Sequence, residues 1–228
     1  MKKYLFDQSE TIKDLQNFFK NEKANLDSFG HKVNQTFEAY TFAETVKWYK
    51  NHGWVTMIRN PIKNKVEVFK LKFNTRGAPQ KYSYVLCEKG EDRCQIRHGL
   101  RLSTTSHSYK NKFSANICSD VAVVQDVDLT FYSTDTALPN EYVLSFGEVK
   151  HMSAFAELIA NFIGQVHELQ PKKLRKIRTR SWKQGDHIAP FLNVSGHLNG
   201  TAKGVEETIK KRKFDIDIYH HEHKINGK

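Results

Sequence analysis

Cysteine is scarce in this chain, and its spacing excludes two common kinds of small structured domain. The three cysteines, Cys87, Cys94 and Cys118, are odd in number and form no Cys-x-x-Cys pair. A disulfide framework needs an even set and a zinc ribbon needs closely spaced pairs, so the sequence predicts neither. Cysteine usage of this kind is typical of a reducing compartment, and we expect the protein to be cytoplasmic.

Long apolar runs are also missing. The opening residues Met1-Lys2-Lys3-Tyr4-Leu5-Phe6 have a basic start, but Asp7, Ser9 and Glu10 interrupt them before the apolar region of a signal peptide can form. No stretch approaches the roughly 20 apolar residues that a membrane-spanning helix needs. The sequence therefore predicts no membrane partner.

Acidic residues are too few to balance the basic ones. Lysine and arginine together number 36, against 25 aspartates and glutamates, which gives a formal net charge of +11 and a pI near 9.4. A positive field of this size favours a polyanionic partner, and nucleic acid is the leading candidate. A chain of 228 residues can bury one sizeable core. We expect an N-terminal helix and connection over 1–35 and a single domain over 36–228.

The first half of the chain changes from helical to strand periodicity. Apolar residues at helical spacing predict a short helix over 9–20 and a second helix from Thr36 to Gly53. From Trp54 onwards the period becomes two, which predicts a β-meander. Its strands are expected over 54–58, 69–73, 82–87 and 93–104, with the basic residues of Arg97-His98-Gly99-Leu100-Arg101 exposed towards substrate.

Two apolar runs in the middle of the chain have the composition of a β-hairpin. Residues 120–124 and 142–146 are rich in β-branched and aromatic side chains, and a polar stretch separates them. Positions paired in an antiparallel hairpin have residue numbers that sum to a constant. A reversal near Thr134 and Asp135 therefore brings residue 120 opposite residues 148–150.

This pairing gathers charged side chains on one face of the predicted hairpin. Asp120 and Glu148 meet, and because side chains alternate along a strand, Glu148 and Lys150 share a face while Val149 points into the opposite layer. Unpaired charges are expensive next to an apolar layer, and a bound divalent cation would explain them. Mg²⁺ prefers hard oxygen ligands, which Asp120 and Glu148 would provide.

An acid on one strand, then Glu-x-Lys after an apolar strand, then an amphipathic helix resembles the restriction-endonuclease-like (PD-(D/E)XK) nuclease superfamily. The resemblance covers roughly residues 36–220 as an order of elements, and three side chains carry it: Asp120, Glu148 and Lys150. It implies an α/β fold with a restriction-endonuclease-like core, in which helices flank a mixed β-sheet. This chain would add the β-meander and the short N-terminal helix.

The function that the resemblance implies is a Mg²⁺-dependent endonuclease that hydrolyses phosphodiester bonds, in restriction, phage defence or transposition. Asp120, Glu148 and the carbonyl of Val149 would hold the metal, for which Mn²⁺ can substitute. Lys150 would orient the attacking water or help to deprotonate it. DNA is favoured over RNA as substrate, and a homodimer or a partner protein is compatible with the sequence.

Three further residues are candidates for an auxiliary role in the same site. An i, i+3, i+4 repeat from Phe155 to Leu169 predicts an amphipathic helix with Gln165 on its polar face. In some nucleases of the superfamily a Gln here is followed four residues later by Tyr, whereas this chain has Leu169. An acid from the first core helix sometimes joins the metal, which makes Glu38 and Glu44 candidates. The sequence leaves open which of the three takes part.

A dense basic run follows Pro171, which ends the predicted helix. Its seven basic residues fall within twelve positions: Lys172, Lys173, Arg175, Lys176, Arg178, Arg180 and Lys183. We expect this run to contact the phosphate backbone independently of sequence and in a salt-sensitive way. A buried strand over 188–196, a helix over 202–212 and a strand over 214–219 would complete the fold.

Two other hypotheses remain open. Asp186-His187-Ile188-Ala189-Pro190 and Gly196 look like the opening of a His-Asn-His nuclease motif, although its second half is not evident. Alternatively, the chain is a catalytically inactive, basic nucleic-acid-binding protein of the same fold. The histidines near the C-terminus, His220, His221 and His223, could bind a transition metal, but the sequence identifies no acid that would orient their rings, and we interpret them as a tail.

Overall fold

The computed structural model describes residues 7–21, 32–63, 66–74, 76–107, 115–130, 132, 136–175 and 187–227. Over these residues the fold is mixed α/β. Its helices are α1 (Gln8–Asn21), α2 (Val33–Asn51), α3 (Ala156–Leu169) and α4 (Gly200–Arg212). Its strands are β1 (Val55–Arg59), β2 (Ile62–Lys63), β3 (Val66–Glu67), β4 (Tyr84–Lys89), β5 (Asp92–Ser103), β6 (Asn116–Gln125), β7 (Val143–Lys150), β8 (Phe191–Val194) and β9 (Asp217–Tyr219).

Seven of these strands form one mixed sheet in the order β1-β4-β5-β6-β7-β8-β9, and β2 and β3 form a separate two-stranded sheet. The strands from β1 to β7 are antiparallel, as a meander requires, whereas β8 and β9 are added in parallel. Parallel neighbours need a crossover connection, and α3 and α4 lie within the two crossovers. Strand β7 therefore joins the antiparallel half of the sheet to its parallel half.

The two faces of the sheet are covered by different helices. Val121 and Val123 belong to the core layer beneath α1 and α2, while Ala122 and Val124 belong to the layer beneath α3 and α4. This alternation is what a strand buried on both faces requires. Val149 lies in the α1/α2 layer, so its predicted orientation, opposite to Glu148 and Lys150, is confirmed.

Most of the expected elements are present, with shifted ends. The second helix begins at Val33 rather than Thr36. The last strand is reduced to Asp217–Tyr219 because the Phe214 N–H bonds back to the Ile209 carbonyl and the Asp215 N–H bonds to the Lys173 carbonyl. The expected strand over 69–73 is wrong. Phe69 and Leu71 are buried as the alternation demanded, but apart from one bridge position this segment has no strand structure.

None of the helices in the described part of the chain is long and apolar enough to cross a membrane. The short N-terminal helix is present as α1, and its Leu15 and Phe19 are buried in the same core layer as α2.

Candidate active site at a fork in the sheet

The candidate site lies where two neighbouring strands separate. Strands β6 and β7 pair through Val121 and Gly147, and beyond that pair β6 stays with β5 while β7 continues with β8. We call this point of separation the fork. The Val121–Gly147 pair has the register predicted for the hairpin, and extending it by one residue brings Asp120 level with Glu148. The bulge in this pair of strands, between Val123 and Val124, lies on the hairpin side and does not disturb the fork.

The three side chains predicted to act together are in contact at the fork. The Nζ of Lys150 lies 2.5 Å from Glu148 Oε1 and 3.6 Å from Asp120 Oδ2. The backbone N–H of Val149 donates to Asp120 Oδ2 over 2.8 Å, which fixes the carboxylate across the gap between the strands. The side chains of Lys150, Asp120 and Glu148 are 39%, 24% and 13% exposed, so a ligand can reach all three.

Burial shapes the electrostatics of the fork. It raises the pKa of Asp120 and of Glu148 above the ordinary carboxyl value, and the charge of Asp120 raises that of Glu148 further. Burial alone would lower the pKa of Lys150, but the two carboxylates outweigh it and the net pKa is raised. Lys150 is therefore an ammonium at neutral pH. Two carboxylates share one compensating charge, and a divalent cation would relieve the remaining repulsion.

Glu38 and Glu44, the two acids suggested from the first core helix, have different environments. Glu38 Oε2 lies 3.5 Å from His98 Nε2. The pKa of Asp120 depends most on burial and on its interactions with Lys150 and Val149, and the charge of Glu38 raises it further. Glu38 thus lies beside the fork.

Glu44 is instead part of the packing between α2 and the C-terminal segment. Its Oε1 pairs with Lys47 over 2.7 Å, and the Asn226 side-chain amide donates to Glu44 Oε2 and to its backbone carbonyl over 2.8 Å each. These contacts give Glu44 a structural role.

Gln165 reaches the fork from α3. Its hydrogen bond to Glu148 opposes the rise that burial produces in the pKa of that carboxyl. The Oε1 of Gln165 is buried, and no hydrogen-bond donor for it lies among the described residues. An acceptor atom without a donor, on a side chain that contacts the Glu148 carboxylate, is a feature that a bound cation would satisfy.

Lys72 was not predicted to lie near the fork. Its Nζ donates to the carbonyl of Gly99 over 2.6 Å, and its own carbonyl accepts from His98 Nδ1 over 2.7 Å. Gly99 of β5 lies next to Asp120 of β6 across the sheet and has φ of 66°. A Cβ on Gly99 would lie 2.4 Å from the Lys72 carbonyl oxygen. A glycine inside a strand marks such close backbone approach and is the one signal that could have located this contact.

The expectation that the basic residues of 97–101 are exposed is wrong for two of them. Arg97 and His98 are buried, at 6% and 5% exposure. The Nε of Arg97 donates to Gln95 Oε1 over 2.7 Å, and its guanidinium stacks 4.0 Å from the ring centroid of Tyr84. A planar cation can be buried in this way because a ring and a polar partner replace its water.

The basic run is described only at its start. Lys172 and Arg175 are exposed, whereas Lys173 Nζ pairs with Asp215 Oδ2 over 2.5 Å and its backbone carbonyl accepts from Asp215 N–H. Lys173 is thus tied into the fold, while Lys172 and Arg175 are accessible to a polyanion. The remaining members of the predicted interface lie outside the described residues: Lys176, Arg178, Arg180 and Lys183.

Of the alternative His-Asn-His motif, His187 lies within the described residues and Asp186 lies outside them. His187 Nδ1 lies 3.1 Å from the hydroxyl of Tyr49, and its ring packs against Trp54 with centroids 5.4 Å apart. The Phe191–Val194 segment that follows is a buried strand, as predicted. His187 therefore contacts aromatic residues of the α1/α2 layer.

Comparison of the chain with protein-family models, with curated proteins and with solved structures finds no match.

Proposed function

We propose that this protein is a Mg²⁺-dependent endonuclease with a restriction-endonuclease-like core, which hydrolyses phosphodiester bonds of nucleic acid, with DNA favoured over RNA. The observation that carries the proposal is the meeting of Asp120, Glu148 and Lys150 at the fork, within 3.6 Å of the lysine nitrogen. The order of elements supports it: an acid on β6, Glu-x-Lys at the end of β7, and helix α3 directly after.

The residues at the fork offer the oxygen ligands that Mg²⁺ prefers. Mg²⁺ is held in proteins by one or two carboxylates, with waters and substrate oxygens completing its octahedron. Asp120 Oδ1 and a Glu148 oxygen would be ligands, since the Val149 N–H already occupies Asp120 Oδ2. The Val149 carbonyl stays the third predicted ligand, and Mn²⁺ should substitute because it accepts the same oxygen donors. Bound there, the cation would neutralise charge on a phosphate oxygen and acidify water.

The protein's own contribution is to position charge. Lys150, held as an ammonium by the two carboxylates, can donate hydrogen bonds to an attacking water and to a phosphate oxygen at the same time. A raised pKa makes Lys150 an electrostatic and orienting group rather than a base. Asp120 is kept in place by the Val149 N–H, so little reorganisation is needed as charge develops on the phosphate oxygens.

The test is incubation with single- and double-stranded DNA and RNA, with Mg²⁺ or with a chelator. Cleavage should require the cation, and Asp120→Asn and Glu148→Gln should each abolish it, because an amide keeps the shape of the ligand but not its charge. Glu88→Gln is the matched control. Glu88 is also a strand glutamate paired to a cation, Arg93 over 2.6 Å, but it lies at the opposite end of the sheet.

Two results would contradict the proposal. Cleavage that survives in both fork variants would move the active site elsewhere. Nucleic-acid binding without cleavage under Mg²⁺ or Mn²⁺ would favour the inactive binding protein of the same fold.

A further inference from the structure

The histidines near the C-terminus do not form a free tail. His220, which follows β9, and His223 face each other across a two-residue turn: the His220 N–H donates to the His223 carbonyl over 2.8 Å and the reverse bond measures 3.0 Å. Helix α4 presents Glu206 to the same place. One ligand atom from each of Glu206, His220 and His223 lies within 4.8 Å of the other two.

We propose that Glu206, His220 and His223, the C-terminal cluster, bind a divalent transition metal, with Zn²⁺ the best match. Zn²⁺ takes imidazole nitrogen and carboxylate oxygen at roughly 2.0–2.2 Å in a tetrahedral site, which places neighbouring donors about 3.3 Å apart. The donors of the cluster already lie within 4.8 Å of one another and would need to approach by at most about 1.5 Å. Mg²⁺ is a poor match because it prefers an all-oxygen shell.

The ring orientation of His223 favours coordination. Its Nδ1 lies 3.1 Å from the carbonyl oxygen of Ile218, which can only accept, so the ring proton resides on Nδ1. This leaves Nε2 with its lone pair free for a metal. A backbone carbonyl bonded to the outer nitrogen of a histidine is the usual way in which proteins fix a metal-binding tautomer.

Two existing contacts compete with the metal, and both are weak. Lys210 Nζ pairs with Glu206 Oε1 over 2.7 Å, but the lysine side chain is 66% exposed and can return to water at little cost. His220 Nδ1 accepts the Glu222 N–H over 3.3 Å, and a metal on either ring nitrogen of His220 would disturb this long bond. Neither contact approaches the strength of a coordination bond.

The surroundings leave room for a fourth ligand. Glu206 and His223 line an open cleft of about 790 Å³ between α4, β9 and the end of α2. Three protein ligands with water access at the fourth position form a complete tetrahedral site. Coordination would also fasten the C-terminal turn to α4, so metal binding should stabilise the fold.

The experiment is a calorimetric titration of the full chain with ZnCl₂ in the presence of saturating Mg²⁺. Wild type should bind one Zn²⁺, and Glu206→Gln and His223→Gln should each weaken binding at least 100-fold. His221→Gln is the matched control, since His221 lies in the same turn but its ring packs on His197 instead. Thermal unfolding should show Zn²⁺ stabilising wild type and His221→Gln, but not the two cluster variants.

Other outcomes would overturn the proposal. Wild type without Zn²⁺ affinity would do so, as would binding that survives in both cluster variants. Binding lost in Glu148→Gln but kept in His223→Gln would place the metal at the fork, and loss only in His221→Gln would place it beside His197. His223 is exposed, so its variant should unfold at the wild-type temperature without metal. None of these outcomes depends on whether the fork cleaves nucleic acid.

Discussion

The fork and the C-terminal cluster are two groups of titratable side chains with opposite chemistry. The fork offers two carboxylates and an ammonium, whereas the cluster offers two imidazoles and one carboxylate. An all-oxygen set of donors suits Mg²⁺, whereas imidazole nitrogen suits Zn²⁺, so the two proposed sites would differ in the metal that each prefers.

The two groups also differ in how their charges are compensated. At the fork, Lys150 contacts both carboxylates and is itself part of the proposed chemistry. At the C-terminal cluster, Lys210 contacts Glu206 from the solvent side and only competes with a ligand. Removing each lysine should therefore have opposite consequences, and this difference gives the sharpest test of the comparison.

Lys150→Ala should lower the single-turnover cleavage rate by on the order of 10²-fold or more, the scale seen when a preorganised group that stabilises developing charge is removed. Both acidic ligands remain, so Mg²⁺ should still bind by calorimetry. Lys150→Arg should not restore the rate fully, because the planar guanidinium of arginine cannot replace a compact ammonium.

Lys210→Ala is the control for this prediction. It removes a lysine that also pairs with a glutamate, yet cleavage should stay at the wild-type rate and Zn²⁺ affinity should rise, since Glu206 loses its competitor. Wild-type cleavage by Lys150→Ala would make Glu148-Val149-Lys150 an ordinary strand end and remove the main support for a nuclease.

The second prediction concerns packing behind the fork. A Cβ on Gly147 would lie 2.3 Å from the ring of Phe191, which is fully buried, so Gly147→Ala should lower the free energy of unfolding by about 1–3 kcal/mol. Gly164→Ala, in the middle of α3 with open space around it, should instead raise it by roughly 0.5–1 kcal/mol. Urea unfolding of both variants measures the contrast, and equal effects would show that the approach of Phe191 to Gly147 imposes no constraint.

The third prediction separates binding from folding within the basic run. Replacing Lys172 and Arg175 by Ala should remove two phosphate contacts on duplex DNA and so reduce the slope of log affinity against log salt by about 1.8. Between 50 and 200 mM salt, a slope change of this size corresponds to about a tenfold change in affinity. Lys173→Ala should act mainly on stability, because it breaks the contact with Asp215. An unchanged slope in the double variant would exclude these two residues from the interface.

The contact of Asp120 with Glu148 and Lys150 could be predicted from sequence because, within one hairpin, the spacing of residues determines which side chains meet. Period two along β7 placed Glu148 and Lys150 on one face, and the constant sum of paired positions brought Asp120 to them. The C-terminal cluster could not be found this way. Glu206 and His220 lie on different elements, and their meeting depends on how α4 packs on β9, which no periodicity encodes.

The same distinction explains the errors in the meander. Alternation at Phe69 and Leu71 correctly predicted burial, but it could not show that the neighbouring backbone would bond irregularly, with Lys70 N–H donating to the hydroxyl of Ser83 instead of a ladder partner. The burial of Arg97 likewise depends on a contact with another strand, since its guanidinium stacks on the ring of Tyr84 in β4. Patterns within one element or one hairpin are readable from sequence, whereas contacts between elements that are distant in the chain are not.

The smallest expected effect is a dependence on pH that distinguishes the two groups in the metal-free protein. Burial raises the pKa of Glu148 in the folded state, so its ionisation at neutral pH costs stability. Glu148→Gln carries no such charge and should unfold at a higher temperature at pH 7, with each 1 kcal/mol worth about 2–4 °C. The advantage should shrink as pH falls through the raised pKa of Glu148 and vanish below the ordinary carboxyl value.

The C-terminal cluster should respond in the opposite direction. Burial lowers the pKa of His220, so its folded form resists protonation and wild type should lose stability as pH falls from the ordinary histidine value towards the lowered one. The measurement is the unfolding temperature of wild type and of Glu148→Gln in chelator, from neutral to acidic pH. The difference between the two proteins reports the contribution of Glu148 to stability. The loss of stability that both proteins share between pH 7 and about 5 includes the contribution of His220. If the difference in unfolding temperature between the two proteins is constant across this range, Glu148 has the same pKa in the folded and unfolded chain. The fork would then lack the carboxylate repulsion that a bound cation would relieve.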